Sequence, residues 1–446
     1  MASRRQVLSG AAAAILTSGW RAYAAGRPYR VGVIGSAWMG RCNLFALMQV
    51  APVEVVAFAD VDATALKNLV NATMAFPDSV VKPKKAPATY KDYRQMLAQH
   101  HFDIVIVATP DHWHALPALA AMKARAHVYL EKPITVDIAE GKALVTAARK
   151  YNRVVQVGTQ RRASPPHAEA CKLVRSGELG KVGMVELYGL YHQRPAKFSP
   201  VVAPPKTLDW DFYCGPAPLV PYRAEINPIN WRAFREFGNG YIADLGVHFI
   251  DCVRWMLELS WPKTISSDGG VYVDKASIAS VVDTQTAVWD YGDTLFTWKG
   301  RQWGEIPENE AWGAKLYGEK GTLTLTSSAY EFSSLKGAMR SGDLSEERKK
   351  FPNDVKLDRM DRELVPLTRP NMRDFLAAIE QNKRPIADVE EGYISTSTAI
   401  LANMAMDLKR PLHWDAKAER LIGDDEANKR LIRPYRAPWV HPALAA

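Results

Sequence analysis

One short stretch near the start of the chain constrains the fold more than any other. Residues 29–35 form an apolar, β-type run ending in Gly35. Ser36, Ala37, Trp38, Met39 and Gly40 follow, and residues 41–50 then have a helical pattern. A strand that turns tightly on a glycine and opens at once into a helix has a specific use. The first glycine permits the turn, a small second residue lets backbone approach a ligand closely, and the helix N-terminus offers unbonded N–H groups to an anion. Gly35, Ala37 and Gly40 stand in the three positions of the G-x-G-x-x-G pattern, with one methyl added at the second. The stretch from Gly35 to Gly40 is therefore expected to hold the pyrophosphate of a dinucleotide.

A second strand, residues 53–60, ends in Asp60, 25 residues beyond Gly35. An acid there accepts hydrogen bonds from a ribose diol and repels a 2′-phosphate, so it favours NAD over NADP. The competing role, capping the next helix, suits Asp62, which directly precedes the helical run 63–72. Residues 102–109 form a continuous apolar strand of the kind covered on both faces. Helix 114–124, strand 127–131, helix 137–151 and strand 153–158 complete a strict β/α alternation. That pattern predicts a Rossmann-type, doubly wound parallel sheet over residues 27–160. Ligands bind at the carboxyl ends of such strands. Thr109, Pro110, Glu131, Lys132 and Gln160 lie at those ends and join the expected cofactor contacts.

Beyond residue 160 the pattern changes. β-like runs at 182–191, 269–274, 284–291, 294–300, 312–317 and 321–326 are separated by polar turns rather than helices, which predicts a mostly antiparallel open sheet. Residues 161–362 are read as a substrate and oligomerisation domain of α/β character. The loop-rich segment 193–230 is expected to be a lid or an interface arm, and 334–362 a charged surface excursion. Residues 363–446 form a C-terminal segment with helices at 370–381 and 391–408. Another helix is expected at 246–258.

The first 25 residues read as an address. Ser3-Arg4-Arg5 precedes a short apolar stretch, residues 10–20, and Ala22-Tyr23-Ala24 has the form of a cleavage site. The arginine pair resembles a twin-arginine export signal, with Val7 in place of the usual Phe. A periplasmic or otherwise exported protein, handed over folded to the twin-arginine machinery, is the expectation. No apolar run reaches the ~20 residues that a membrane helix needs. The formal charge of +9 is spread along the chain, without the clustered stripe that nucleic-acid binding requires. Cys42, Cys171, Cys214 and Cys252 form no C-x-x-C pair, so a zinc knuckle is not expected.

Taken together, the Gly35 loop, Asp60, Thr109-Pro110 with His114, Glu131-Lys132-Pro133, Gly158-Thr-Gln-Arg161 and Asp244-x-Gly-x-His248 resemble the Gfo/Idh/MocA family, the relatives of glucose–fructose oxidoreductase and inositol dehydrogenase. The segments 209–218, 230–232 and 425–439 resemble its twin-arginine-exported bacterial branch. The resemblance implies bound NAD, His114 as a cofactor-site residue, an open second-domain sheet with helices on one face whose uncovered face meets a partner subunit in a homo-oligomer (dimer or tetramer), residues 363–446 with their helices packed back on the first domain, and a sugar or polyol substrate.

Removing hydride from a carbinol carbon needs a cofactor against the C–H bond, a group for the hydroxyl proton and a donor for the developing oxyanion. Lys132, at a strand end and partly desolvated, is expected to handle the proton with its pKa pushed down. Asp244 and His248 are four residues apart and so share one helix face. Asp244 is expected to orient the His248 ring and raise its basicity. Lys132, Asp244 and His248 are the catalytic candidates. Arg161, Tyr188, His192, Trp231 and Arg232 are the substrate candidates, since Trp and Arg suit stacking on and hydrogen bonding to a sugar. No third ligand accompanies Asp244 and His248 at metal spacing, His112-x-His114 is a weaker pair, and no metal is expected. Three functions fit these residues. One is a sugar or polyol dehydrogenase with tightly held NAD. Another is redox-neutral glycoside cleavage, and a third is a sugar-binding protein without catalysis.

Overall fold

In the computed structural model the described residues are 27–191, 195, 197–306 and 311–444. The expected leader, residues 1–25, lies outside them. The first domain runs β1 (Tyr29–Ile34), α1 (Trp38–Val50), β2 (Val53–Ala59), α2 (Ala63–Ala75), β3 (Ala88–Tyr90), α3 (Tyr93–Gln99), β4 (Ile104–Val107), α4 (Ala115–Lys123), β5 (His127–Leu130), α5 (Ile138–Lys150) and β6 (Val155–Val157). All six strands are parallel, in the order β3-β2-β1-β4-β5-β6. The order reverses between β1 and β4, and that switch point opens a crevice at the carboxyl ends. Every residue of β4, Ile-Val-Ile-Val, is buried, as helices on both faces require. β3 and α3 have no counterpart in the expected pattern. β3 is a three-residue edge strand without a buried position, too short to show a period.

The second domain adds α6 (Pro165–Arg175), β7 (Val182–Leu190), α7 (Trp210–Cys214), α8 (Val247–Met256), β8 (Thr264–Gly270), β9 (Thr284–Asp290), β10 (Leu295–Arg301), β11 (Trp312–Gly318), β12 (Gly321–Leu325), β13 (Tyr330–Ser334), β14 (Met339–Gly342) and α9 (Ser345–Lys349). Then come α10 (Arg359–Glu380), α11 (Val389–Leu408), β15 (Leu412–Asp415), β16 (Arg420–Leu421) and α12 (Asp425–Lys429). The strands form one ten-stranded sheet, β14-β13-β12-β11-β7-β10-β9-β8-β15-β16. It is antiparallel except where β7 and β10 run parallel at its centre.

Four expectations are corrected. The strand expected at 269–274 is β8, which ends at Gly270. Beyond it the backbone N–H groups of Tyr272, Val273 and Asp274 donate to the Asp283 carboxylate instead of to a neighbouring strand. The helix expected from 370 begins at Arg359. Pro366 and Pro370 look like breakers, yet α10 carries both, and its buried Val365, Met372 and Phe375 pack in one core with α1. Residues 334–362 are not merely a surface excursion. They end β13, form β14 and α9, and bury Glu347, Asp354 and Asp361. Arg369 donates through Nε to Glu347 (2.9 Å) and through Nη1 to Asp354 (2.8 Å), and Arg41 Nε donates to Asp361 (2.8 Å).

The C-terminal segment, finally, does not pack on the first domain alone. α10 lies on α1, but α11 contacts α5 on one side and both β8 and α8 on the other, and β15 extends the second sheet. The last residues return to the first domain. The backbone N–H of Arg433 and the ring of His441 both reach Asp137 Oδ2 at 2.9 Å, and the Tyr435 hydroxyl bonds Glu140.

The Arg369 guanidinium is fully enclosed between two carboxylates that are themselves buried. Breaking a buried pair leaves uncompensated charge and costs about 3–5 kcal/mol. Arg369→Met is therefore expected to lower unfolding stability by about 3 kcal/mol or more, read from the urea midpoint at constant slope. A loss under about 0.5 kcal/mol would show that the network carries no net stability.

Candidate active site at the strand ends

A cleft of about 1300 Å³ lies over the carboxyl ends of β1, β2, β4 and β5 and extends toward the second domain. At its floor Gly35 has φ +91°, and a Cβ there would stand 2.5 Å from the Ala108 carbonyl. At Gly40 a Cβ would stand 2.0 Å from the Gly35 carbonyl oxygen. Neither position tolerates a side chain, whereas Ala37, the helix N-cap, sits in ordinary extended backbone. α1 opens with no side-chain cap and no acid in its first turn, so its N–H groups are free for an anion. Ser36 donates to Asp60 Oδ2 from both its backbone N–H (2.7 Å) and its hydroxyl (2.8 Å), and the Asp62 N–H donates to Asp60 Oδ1 (2.9 Å). Burial pushes the Asp60 carboxyl up against these three bonds. Asp62 caps α2 through the Thr64 N–H, and Asp60 and Asp62 both border the cleft at the end of β2. A glycine cradle, an open helix terminus and a carboxylate at the end of β2 fit a dinucleotide.

The second wall comes from β4 and β5. The two nitrogens of the buried His114 lie 2.8 Å from the Thr109 carbonyl and 2.6 Å from the Pro133 carbonyl, so the ring packs between the Thr109-Pro110 loop and the Glu131-Lys132-Pro133 loop and, when neutral, donates its single N–H to one of the two carbonyls. Glu131 accepts from Asn43 Nδ2 (2.9 Å), and burial pushes its carboxyl up. A Cβ at Gly158 would meet Glu131 Oε1 at 2.7 Å, so a side chain there would displace the Glu131 carboxylate. Gln160 is buried behind them and hydrogen-bonds Tyr129.

Lys132 Nζ donates to the Asp244 side chain at 2.8 Å and to the Asp244 carbonyl at 3.0 Å. Arg232 Nε approaches the other Asp244 oxygen at 3.3 Å while its guanidinium stacks on Trp231 at 4.3 Å. Burial alone would raise the Asp244 carboxyl, but Lys132 and Arg232 outweigh it and hold it at about 2. Asp244 lies in a π-helical turn, Ile242–Gly246, that runs directly into α8.

The expected coupling of Asp244 to His248 is corrected. No hydrogen bond joins them among the described residues, because Asp244 is taken by the two cations. His248 Nδ1 is enclosed without a partner, and the ring meets Trp312 edge-on at 5.2 Å. Burial, then Arg161 and Lys132, push its pKa well below the usual value, so basicity is lowered and the ring is neutral.

Of the substrate candidates, Arg161, Trp231 and Arg232 line the cleft with Lys132, Asp244 and His248. Tyr188 does not. It is buried in β7 with its hydroxyl against Gly313 of β11, and it is Tyr191, just past the strand end, that borders the cleft. His192 lies outside the described residues. His112 bonds the Tyr213 carbonyl rather than sharing a site with His114. The four cysteines are free thiols.

Two residues were missed. Asn43 on α1 orients Glu131 and carries no motif. Asp111 is buried beside the cleft, and burial together with the Asp244 charge pushes its carboxyl well up. Its place directly after Thr109-Pro110 is the signal that could have found it. The arm 197–230 docks on the loop after β2 through an Asp62–Leu208 bridge and the Asp209 N–H to Val61 carbonyl bond (3.0 Å), and so roofs the cradle.

A parallel sheet of this order with a glycine cradle at its switch point, roofed by a second sheet domain, defines a two-domain dinucleotide-binding protein. Residues 29–159 match the oxidoreductase family's NAD-binding Rossmann fold, and residues 171–413 match its C-terminal alpha/beta domain. The chain belongs to the Gfo/Idh/MocA oxidoreductase family, and the cradle is an NAD site. Among curated proteins it is similar to levoglucosan dehydrogenase of Pseudarthrobacter phenanthrenivorans, 25% identical over 229 residues, 51% of this chain and 50% of the relative. It is also similar to inositol 2-dehydrogenase of Salmonella typhimurium, 30% identical over 158 residues, 35% of this chain and 44% of the relative. The chain thus spans half or less of these relatives' length. Among solved structures, the aldose-aldose oxidoreductase of Caulobacter crescentus complexed with glycerol shares the fold at 17% identity with a TM-score of 0.63, over 87% of this chain and 100% of that one.

Burial holds His114 neutral, with its pKa lowered to about 4. In the unfolded chain the ring titrates near ~6.5. The unfolded state therefore binds the extra proton first as pH falls, and the stabilisation from the buried His114 ring is complete above pH ~6.5 and lost as pH drops toward 4. The melting-temperature advantage of the wild type over His114→Gln is expected to shrink across that window. An advantage that stays constant from pH 7 to 4 would rule out the buried neutral ring.

Proposed function

We propose that the protein is an NAD-dependent oxidoreductase that transfers hydride at a carbinol carbon of a sugar or polyol. The observation that carries this is the Lys132–Asp244 pair, 2.8 Å apart and nearly closed from solvent, at the end of the strand beside the NAD cradle. Bound NAD supplies the hydride acceptor. Lys132 Nζ is the proton-handling group. It returns a proton to the substrate oxygen in reduction and takes it in oxidation, while Asp244, held ionised, keeps a negative charge opposite it in both directions. Arg232 shares that charge and fixes the carboxylate. His248, neutral, gives the same wall a second proton acceptor. The names of the levoglucosan and inositol dehydrogenases support the substrate class.

Three further elements complete the reading. Nucleotide stays bound through many turnovers, with the hydride taken up from one sugar passed on to a second sugar carbonyl, or back to the oxidised sugar itself, so that bound NADH returns to NAD without leaving. Export uses Arg4 and Arg5. The chain assembles as a dimer or tetramer, supported by an exposed apolar row, Met184, Leu295 and Tyr317, that lies side by side across β7, β10 and β11.

Purified, dialysed protein is expected to sediment as an oligomer, to carry near-stoichiometric nucleotide and to convert substrate without added NAD. Lys132→Met should keep the nucleotide and lose turnover by about 10²–10⁴-fold. Near-normal turnover removes the role of Lys132, empty wild-type protein removes retention, and a monomer removes assembly. Replacing Arg4 and Arg5 with Lys should leave the precursor in the cytoplasm, as fractionation would report, and unchanged export would exclude the twin-arginine route.

A further inference from the structure

Two adjacent arginines follow β6, both almost completely buried, and they are treated in opposite ways. Arg162 is saturated with carboxylate. Its guanidinium donates to Asp251 at 2.7 and 2.9 Å and to Glu391 at 2.9 Å. Arg161, 2% exposed, has no carboxylate partner among the described residues. Among the described residues its side chain makes no hydrogen bond, and Nε and Nη1 are sealed from solvent without a partner. The guanidinium is flanked by aromatic rings, its centre 4.6 Å from the Phe249 centroid and 4.3 Å from that of Trp312. Such contacts soften the burial of a cation but satisfy none of its five N–H donors. Burial lowers its pKa only to about 10, so the charge persists at neutral pH. The ionisable neighbours that favour that charge are Cys252, whose thiol burial pushes up, and Tyr191.

A buried cation without a counter-ion is costly, and a protein that keeps one has a use for it. Arg161 borders the same cleft as Lys132, Arg232, Asp244 and His248. There Asp244, held ionised, is already shared by Lys132 and Arg232 and makes no bond to Arg161. The two rings stand nearly perpendicular to each other with centroids 5.3 Å apart, so they cover adjacent sides of the guanidinium. With Nε and Nη1 enclosed, Nη2 is the nitrogen left toward the cleft, and a guanidinium N–H makes a charge-assisted bond to a carboxylate.

We infer that the substrate is a sugar or polyol bearing a carboxylate, an aldonate or uronate class of compound, whose acid group is received by Arg161 while its carbinol lies at Lys132. This rests on the oxidoreductase reading of the same cleft and names its substrate class. Arg161 is a binding and specificity residue, and no bond to it forms or breaks in the reaction.

The test is a panel of matched compounds on the nucleotide-loaded enzyme: gluconate and glucuronate, their neutral counterparts glucitol and glucose, and glucose 6-sulfate. Reduction of the bound nucleotide, one hydride per enzyme, is followed by its absorbance and scored as the ratio, acid over neutral, of the single-turnover rate constant divided by the half-saturating substrate concentration. The wild type is expected to favour a carboxylate by about 10- to 10²-fold, the range that one charge-assisted hydrogen bond supports. Arg161→Gln should bring that ratio toward unity through the half-saturating concentration, and Arg161→Lys should leave it intermediate. NADH affinity, followed by fluorescence titration, should be the same in all three. If Arg161→Gln does not fold, competitive inhibition of the wild type by each acid against its neutral partner gives the same ratio. Equal or better use of neutral sugars, or a preference for the sulfate ester, overturns the inference and leaves the oxidoreductase standing. Loss of NADH affinity in Arg161→Gln assigns the arginine to the nucleotide and likewise overturns it. No redox turnover with any member sinks both readings.

Discussion

The cleft is held together by a single carboxylate. Asp244 comes from the second domain, Lys132 from the first sheet and Arg232 from the segment between them, and the three side chains meet in one buried cluster. Taking a carboxylate out of water is unfavourable, and the two cations win only because both are close and the geometry is fixed. The same contact that aligns three segments of chain thus sets the charge state of the reacting wall before anything binds. The π-helical turn around Asp244 serves that contact, presenting its carbonyl and carboxylate together to Lys132.

Beside it, a second acid is driven the other way. Asp111 is as buried as Asp244, and burial together with the Asp244 charge outweighs Arg232, Lys132 and Arg433, so its carboxyl is pushed well up. The two carboxyls in one cleft are thus shifted in opposite directions. His248 is shifted down by two neighbouring cations as well as by burial. The wall is therefore a graded set of shifted groups rather than three equivalent acid–base groups.

Much of this architecture was legible in sequence because its causes are local. The Gly35 turn, the all-apolar β4 and the acid ending β2 are each short signals with one strong structural meaning. The nucleotide half of the cleft followed from them. The substrate half was less legible because its determinants are long-range. The spacing of Asp244 and His248 is a helical repeat and suggests a pair, yet the true partner of Asp244 lies 112 residues earlier. Tyr188 sits in a β-run where residue type cannot tell a sheet interior from a cleft wall. Pro366 and Pro370 signalled a boundary that packing against α1 overrides. The charged run 334–362 hid Glu347 and Asp354, which are buried only because Arg369, farther along the chain, comes to meet them.

The position of α11 has a dynamic consequence. This helix packs on α5 of the first domain and on β8 and α8 of the second, so both walls of the cleft rest on one rigid rod. They cannot swing apart like a clamshell without stripping α11 from one side. Traffic into the nucleotide cradle must instead pass the arm that roofs it. That arm is pinned by a short bridge to the loop after β2, by Lys91–Asp209, and by the tail contacts Arg436–Asp211 and Trp439 on Phe212. Cofactor residence time is then set by local unfastening of a few surface contacts rather than by a hinge between domains.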